Sequence, residues 1–392
     1  MNRLTLQRLG VIQKRLIRSV VESASVGFHR LDGEGYFRRQ THPHISPVGW
    51  HLGHCIYIEC LWIRRIVCGD NRLEVNLRGL YTPELSLKEM RGRRLPPCEE
   101  LVGWASDMMR EHRDILSGLS LLEKRNRLVQ NDYLIHFLIN HHAQHLETLC
   151  MARAEWHAFC SETKFMVETP LHPDFSDISF ANVGRGSFQV GGGSGFSYDN
   201  ELPERHVELS DFSITSNPIS NARYLAFILD GGYDKRELWS VSGWDWRMKN
   251  GVTHPARWRQ DDDGDWFEIT FNGADHLSGD APVCGVTRYE AGAFASWASA
   301  RLPHEFEWEA AVKSGLLYKT GQVWEWCANT FHSYPGFRAY PYREYSIPWF
   351  DQRHFVLKGG CLHSQEEIKR PAFRNYYLAD TNYLFSGIRL AC

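Results

Sequence analysis

HHAQHLE, residues 141–147, is the segment from which the organisation of this chain is best understood. It lies in a run of about 130–158 that carries helical periodicity and little glycine. Residues four apart share a helix face, so His141 and His145 should project side by side, a spacing suited to one metal ion. Chance or core packing would also explain such a pair. Glu147 lies well around the helix and is expected to be structural.

Three further segments before residue 165 predict helices. Apolar residues recur at three- and four-residue intervals over about 4–20, and proline punctuates the entries to about 45–68 and 98–118. Four helices joined by loops predict an antiparallel bundle.

A third imidazole is available in SPVGWHLGH, residues 46–54, within the second helix. His51 and His54 are three apart, so one or both could face the bundle interior. Three imidazoles from two helices would leave open coordination positions, as a catalytic metal requires. The spacing does not choose iron over zinc. The zinc-protease motif HExxH is absent because His142 follows His141.

The chain changes character after residue 165, where glycine becomes frequent and strands become short. Helices are predicted from about Ser220 to Leu229 and over 287–300. We expect a helical domain over 1–165, a linker over 166–182 and a loop-rich domain over 183–392. Trp308, Trp324 and Trp326 are predicted core residues.

Composition excludes several classes of protein. The 392 residues are 43% hydrophobic and 23% charged, as in globular proteins, with a net charge of −3 that gives no general reason to bind nucleic acid. No apolar run is long enough to span a membrane, and the amino terminus is not typical of a secretory signal. The ten cysteines include no CxxC pair and indicate reduced thiols. We expect a cytoplasmic protein without nucleic-acid or membrane partners.

Several motifs together resemble a known family. SPVGWHLGH and HHAQHLE resemble the metal-binding segments of DinB-type four-helix domains. NPISNARYLAFILDGGY, GQVWEWCANT and FRNYYLADTNYLFSGIRLA resemble formylglycine-generating-enzyme (sulfatase-modifying) domains, which are irregular α+β folds of C-type-lectin-like topology. In this order, over nearly the whole chain, the two domains resemble the EgtB-type sulfoxide synthases of ergothioneine biosynthesis.

The resemblance implies a non-heme Fe(II) enzyme with O2 as co-substrate. Such enzymes join a cysteine-type thiol to the imidazole of hercynine, a histidine betaine, and give a sulfoxide. The implied iron ligands are His54, His141 and His145, with His51 left to packing or to support of a ligand. The active site is expected in a cleft between the domains.

The resemblance also implies substrate-binding residues. Tyr342 matches the proposed catalytic proton donor, and Tyr345 matches a substrate-orienting position. Other matching or neighbouring positions for substrate are Gln144, Asn375, Tyr376, Tyr377, and the basic residues Lys88 and Arg91. Aromatic faces suit a trimethylammonium group. Without the resemblance, ordinary packing would be the preferred explanation of the tyrosines, and a solvated basic loop would explain Lys88 and Arg91.

Departures from the family pattern leave alternatives open. Tyr376 and Tyr377 replace the Trp-Asp of many relatives, which makes free cysteine or another thiol more plausible as the donor. Cys361 stands alone beside glycines, and no second cysteine is evident around it, which argues against oxidation of a sulfatase cysteine. A selenoneine synthase with a selenol donor, an ovothiol-type synthase, a DinB-like thiol transferase and a non-catalytic binding protein with a degenerate site remain alternatives.

Overall fold

The computed structural model describes residues 2–26, 35–160, 165–193 and 195–392. The chain forms two compact units. Unit 1 comprises Met1–Cys160 together with His363–Ile368, and unit 2 comprises Ser161–Leu362 together with Lys369–Cys392. The sequence prediction placed all of 183–392 in one domain, whereas a short segment of that range lies with unit 1.

Unit 1 is helical, as predicted. Its helices are α1 (Arg3–Val26), α2 (Gly35–Arg38), α3 (Val48–Glu59), α4 (Arg72–Tyr81), α5 (Lys88–Arg91), α6 (Cys98–Ser117) and α7 (Tyr133–Cys160). Helix α1 packs on α6 and α7, and α3 packs on the same two helices, which gives the predicted four-helix bundle.

Periodic apolar residues explain the packing of α1. Leu9, Ile12, Leu16 and Val20 are at most 2% exposed and form its buried face. Leu4, which the periodicity placed on that face, is 67% exposed.

Helix α3 is buried along its whole length and continues into a π-helical segment, Cys60–Val67. Pro47 precedes its first turn, as expected of a residue that cannot donate a backbone hydrogen bond. Helix α4 was not predicted from the sequence. It brings the Tyr81 ring so close to α3 that a Cβ on Gly53 would lie 2.1 Å from Tyr81 Cε1. Gly53 therefore permits the contact between the two helices.

Unit 2 combines short helices with four small sheets. Its helices are α8 (Asn221–Leu229), α9 (Val241–Asn250), α10 (Arg288–Trp297) and α11 (Glu305–Lys313). Its strands are β1 (Ala181–Val183), β2 (Gly186–Val190), β3 (Arg205–Leu209), β4 (Phe212–Ile214), β5 (Trp258–Gln260), β6 (Trp266–Thr270), β7 (Gly273–His276), β8 (Trp324–Thr330), β9 (His354–Lys358), β10 (Asn375–Leu378) and β11 (Ser386–Gly387).

The largest sheet has the order β10-β9-β8-β11 and is antiparallel except for the β8–β11 pair. The other sheets pair β1 with β4, pair β2 with β3, and join β5, β6 and β7. This mixture of helices and sheets confirms the predicted α+β class of the second part of the chain.

The core of unit 2 is aromatic and contains buried ion pairs. Trp308, Trp324 and Trp326 are at most 1% exposed, which confirms their predicted core positions. The Arg374 guanidinium binds both carboxylate oxygens of Glu305, at 2.7 and 2.8 Å, with both side chains fully buried. Such a pair offsets the cost of removing each charge from water.

The two helices predicted in this unit are observed. Both have side-chain caps: Ser220 accepts from the Arg223 amide before α8, and Thr287 forms a capping box with Glu290 at the start of α10. Among the described residues, the helices are all too short or too polar to cross a membrane.

Candidate metal centre

Helices α3 and α7 bring three imidazoles of unit 1 together. One ring nitrogen from each of His54, His141 and His145 lies within 4.8 Å of one from the others. The ring centroids are 5.2 Å apart for His54 and His141, 4.9 Å for His54 and His145, and 4.5 Å for His141 and His145. The four-residue spacing on α7 and one residue of α3 thus produce a three-nitrogen cluster.

Neighbouring groups contact one nitrogen of His54 and one nitrogen of His145. His54 Nδ1 lies 2.7 Å from the Tyr81 carbonyl oxygen at the end of α4. Because a carbonyl only accepts, His54 Nδ1 carries the proton and Nε2 keeps its lone pair. His145 Nδ1 lies 2.9 Å from His51 Nδ1, so His51 contacts one of the three rings instead of joining the group. Such partners are typical of metal-binding histidines.

Burial lowers the pKa values of the imidazoles in and beside this group. Burial, aided for His51 by the neighbouring His54, lowers the pKa of His51 to about 3 and that of His54 to about 4. Burial and the adjacent imidazoles also hold the pKa values of His141 and His145 well below the ordinary value. Neutral imidazoles have the lone pairs that a divalent metal requires, so these residues fit Fe(II) or Zn(II).

A second group of possible ligands shares His141. Cys55, His141 and His142 also have donor atoms within 4.8 Å of one another. Burial, followed by the charge of Glu59, raises the pKa of the Cys55 thiol well above its usual value. Since a metal binds thiolate, this group is the weaker candidate.

Beside His54 lies a stack that includes one of the predicted basic residues. The Trp50 ring is stacked on His54 with centroids 4.7 Å apart, and the Arg91 guanidinium carbon lies 3.9 Å from the Trp50 centroid. Arg91 is buried and donates hydrogen bonds to the Ser46 hydroxyl and to backbone oxygens of Pro83 and Ser86. These bonds occupy most of its N–H groups.

The other residues of unit 1 that the sequence singled out lie on α5 and α7. Lys88 Nζ donates to the His44 carbonyl at 2.8 Å. Gln144 precedes His145 on α7 and is partly exposed. Glu147 is buried and accepts a hydrogen bond from Ser364, so it has a contact that does not involve the three rings.

In unit 2 the predicted tyrosines form an aromatic cluster. The Tyr345 ring centroid lies 6.1 Å from that of Tyr342 and 4.2 Å from that of Tyr198. Tyr376 donates from its hydroxyl to the Tyr345 carbonyl at 2.9 Å and stacks on Phe331 with centroids 4.1 Å apart. One face of Tyr376 is therefore covered.

The three predicted residues of β10 lie on two different faces of the strand. Side chains alternate along a strand, so Asn375 and Tyr377 project to the face opposite Tyr376. Asn375 Oδ1 accepts from the Tyr376 amide at 3.1 Å, and the Tyr377 ring centroid lies 6.2 Å from that of Tyr383. The structure thus groups Tyr342, Tyr345 and Tyr376, and it places Asn375 and Tyr377 on the other side of the strand.

Sequence reasoning missed a set of buried polar residues behind the three imidazoles. Glu59, His112 and His142 are 0% exposed and hydrogen-bonded in series. The available signal was Glu59 itself, a single carboxylate within the otherwise apolar CIYIECLWI of residues 55–63. A charged residue at such a position needs buried partners.

Two family models match this chain. The sulfatase-modifying factor enzyme 1-like domain matches residues 176–320 and 312–392, and the DinB superfamily matches residues 22–149. The first model alone accounts for more than half of the sequence. Both matches agree with the order of domains expected from the motifs.

Curated relatives share this two-domain arrangement or part of it. The chain is 28% identical to the hercynine oxygenase of Mycolicibacterium thermoresistibile, over 96% of this chain and 94% of the relative. It is 29% identical to the hercynine oxygenase of Mycolicibacterium smegmatis, over 90% of this chain and 92% of the relative. Ergothioneine biosynthesis protein 1 of Schizosaccharomyces pombe is 26% identical over 50% of this chain and 27% of its own length. The chain belongs to the sulfatase-modifying factor enzyme 1-like family, in the form with a preceding DinB domain that characterises the EgtB-type proteins.

Proposed function

We propose that this chain is an oxidoreductase that forms a carbon–sulfur bond with Fe(II) and O2. It joins a cysteine-type thiol to the imidazole of hercynine, or of a related histidine, and the product is a sulfoxide. The observation that carries the proposal is the cluster of His54, His141 and His145, whose donor atoms lie within 4.8 Å of one another. The relatives named hercynine oxygenase, which match nearly the whole chain, support the choice of substrate.

The reaction balances without a further reductant. The thiol loses its S–H proton and the imidazole loses one C–H proton as the C–S bond forms. One oxygen atom of O2 ends on sulfur, and the other leaves as water with the two protons. The two substrates supply all four electrons that reduce O2.

The residues of unit 1 would hold the metal and keep it accessible. Fe(II) bound by three imidazoles would retain open positions at which the thiolate, the substrate imidazole and O2 meet. Tyr81 and His51 orient two of the ligand rings through the hydrogen bonds described above. We propose Gln144 as a hydrogen-bonding contact for hercynine, since it is partly exposed and adjacent to His145 on α7.

Other substrate contacts are proposed from the resemblance to EgtB-type enzymes. Tyr342 would hold the transferable proton, and Tyr345 would orient substrate. Tyr376 would offer its uncovered aromatic face to the trimethylammonium group. Asn375 and Tyr377, which the resemblance also implies, project from the opposite face of β10, so this proposal does not place them in the same pocket as Tyr376.

The two basic residues of α5 have different roles in this proposal. Lys88 would bind a carboxylate of the thiol, because its described hydrogen bond uses one of three N–H groups. Arg91, whose N–H groups are largely occupied, would add positive charge and support Trp50.

The test is oxygen consumption by protein loaded anaerobically with Fe(II). With hercynine and cysteine together we expect O2 uptake and a sulfoxide detected by mass spectrometry, and neither substrate alone should give the product. His145→Ala should lose iron and activity. His136→Ala, also on α7 but outside the three-imidazole group, is the matched control and should keep both. A wild-type protein that binds iron yet consumes no O2 with any thiol and betaine would favour a binding protein.

A panel of donors and acceptors identifies the substrates. Cysteine, γ-glutamylcysteine and a selenol are each combined with hercynine and with histidine. A selenium-containing product only would indicate selenoneine synthesis, and a product from cysteine and unmethylated histidine would indicate an ovothiol-type enzyme. A product with hercynine and a thiol confirms the proposed function.

A further inference from the structure

Behind the candidate ligand His141 a series of buried polar side chains runs into the helical bundle. His141 Nδ1 lies 3.3 Å from His142 Nδ1, and His142 Nε2 lies 2.7 Å from Glu59 Oε1. The second oxygen of Glu59, Oε2, lies 2.7 Å from His112 Nδ1. Three of these side chains, His142, Glu59 and His112, are 0% exposed, so water does not compete for their hydrogen bonds.

The chemistry of Glu59 sets the direction of these bonds. Burial opposes its ionisation, but the hydrogen bonds from His112 and His142 outweigh burial and lower the pKa of Glu59 to about 2. An ionised carboxylate only accepts hydrogen bonds, so His142 Nε2 and His112 Nδ1 both carry protons. Gln13 Nε2 donates a further bond to Oε1 at 2.6 Å.

An independent contact supports the same assignment. Arg64 Nε donates to His112 Nε2 at 3.0 Å. Because a guanidinium only donates, His112 Nε2 must be the unprotonated nitrogen, and the proton of a neutral His112 must lie on Nδ1 towards Glu59. Arg64 also places a positive charge near the end of the series, which partly offsets the buried carboxylate.

The position of the proton on His142 determines that on the candidate ligand His141. His142 donates from Nε2 to Glu59, so its Nδ1 is the nitrogen that can accept, and the bond between the two Nδ1 atoms then runs from His141 to His142. His141 then carries its proton on Nδ1, and its Nε2 lone pair is free for a metal. The opposite tautomer of His142 would reverse the bond and place a proton on His141 Nε2.

His141 differs in this respect from His54. The partner of His54 is a backbone carbonyl, which can only accept a hydrogen bond. The partner of His141 is another imidazole, which could present either a proton or a lone pair. The Glu59 carboxylate, 2.7 Å from His142 Nε2, draws the His142 proton to that nitrogen and so leaves Nδ1 as the acceptor.

We propose that Glu59 is a positioning residue which, through His142, holds His141 in the tautomer that binds the metal. The inference rests on the proposed function in that it takes His141 as a ligand. Glu59 does not touch the metal or the substrates. The competing explanation is that the series only satisfies buried polar groups, which would stabilise the bundle without controlling His141.

The first test measures the tautomer of His141 in the wild-type protein. Long-range ¹H–¹⁵N spectra of the full chain labelled with ¹⁵N-histidine report which ring nitrogen carries the proton, with Zn²⁺ as a diamagnetic probe. His141 is assigned by the signals lost in His141→Gln. We expect His141 to carry its proton on Nδ1 in the metal-free protein and to bind Zn²⁺ through Nε2. Binding through Nδ1, or Zn²⁺ bound by His142, would overturn the proposal.

The second test compares two substitutions that each remove one donor to Glu59. His142→Phe breaks the link to His141, while His112→Phe leaves that link intact. We expect His142→Phe to mix the His141 tautomers and to weaken Zn²⁺ binding by about 10- to 100-fold, the usual loss for such partners. His112→Phe, which keeps the bond between His142 and Glu59, should change both measurements less than His142→Phe does. If His142→Phe bound Zn²⁺ with wild-type affinity and His141 kept a single tautomer in it, Glu59 would have a structural role only.

Failure of the proposed function gives a different result. A wild-type protein that binds neither Zn²⁺ nor Fe(II) would remove the metal site, whereas the metal-free spectra would still report the tautomer of His141. Metal binding with the wrong tautomer would remove only the role of Glu59.

Discussion

Replacing Gly53 by alanine should disturb both the stability of unit 1 and its metal affinity. The added Cβ would lie 2.1, 2.2 and 2.5 Å from Cε1, Cζ and Oη of Tyr81. Carbon atoms in contact are normally separated by about 3.5 Å or more, so the ring must move by about 1.4 Å. Tyr81 is 3% exposed and has little room to move.

The energetic cost follows from two opposing terms. Overpacking a buried site typically costs about 1–3 kcal/mol, whereas alanine in place of glycine in a helix gains about 1 kcal/mol. We expect Gly53→Ala to lower the free energy of unfolding by about 1 kcal/mol. A shift of Tyr81 should also lengthen the 2.7 Å bond between its carbonyl and His54 Nδ1, and so weaken metal binding by about tenfold.

Urea unfolding followed by circular dichroism gives the first quantity, and Zn²⁺ titration against a chelator gives the second. Gly103→Ala is the control for helix propensity, because a Cβ there meets nothing within 4 Å, and it should stabilise the protein. Gly49→Ala is the control for overpacking, since its Cβ would lie 2.4 Å from the Phe37 ring instead of Tyr81. If Gly53→Ala were as stable as Gly103→Ala and bound Zn²⁺ like the wild type, the reasoning would be refuted.

Three further predictions concern unit 2. Burial raises the pKa of Glu290 to about 7, against 4.5 when unfolded, so the folded state binds the proton more tightly and wild-type stability should fall by about 3 kcal/mol as pH rises from 4.5 to 7. Glu290→Gln should remove this dependence of stability on pH. If the free energies of unfolding of the two proteins, measured with urea between pH 5 and 8, changed with pH in the same way, the prediction would be contradicted. Arg374→Met should cost about 3–5 kcal/mol by leaving the buried Glu305 carboxylate without its guanidinium, and adding Glu305→Leu should restore part of it in the same assay. Tyr342→Phe should retain iron but shift the product from sulfoxide towards sulfinic acid; an unchanged ratio by mass spectrometry would show that Tyr342 is not the proton source.

Patterns that act within one helix could be interpreted from the sequence alone. The apolar spacing of α1, the helix predicted over 287–300, and the shared face of His141 and His145 each depend on residues within a few positions of one another. The local backbone geometry fixes these relations before any tertiary contact forms. The aromatic core positions could also be predicted, because large apolar side chains are most often buried.

The sequence also identified the two domain types, because their motifs are specific. Spacing alone did not choose between His51 and His54, and the resemblance favoured His54. The structure places His54 within the three-nitrogen group and His51 against His145. Whether these residues bind iron remains a prediction.

Tertiary packing alone decided which distant polar groups meet. Glu59 and His142 are 83 positions apart, and Glu59 and His112 are 53 apart, yet the packing of α3, α6 and α7 brings them to 2.7 Å. The contact of Gly53 with Tyr81 likewise depends on how α4 lies against α3. No local pattern records the rotation of one helix relative to another, which is set by the fit of whole side-chain surfaces. The helical sequence therefore determined which residues share a face, and only the assembled bundle determined what each face meets.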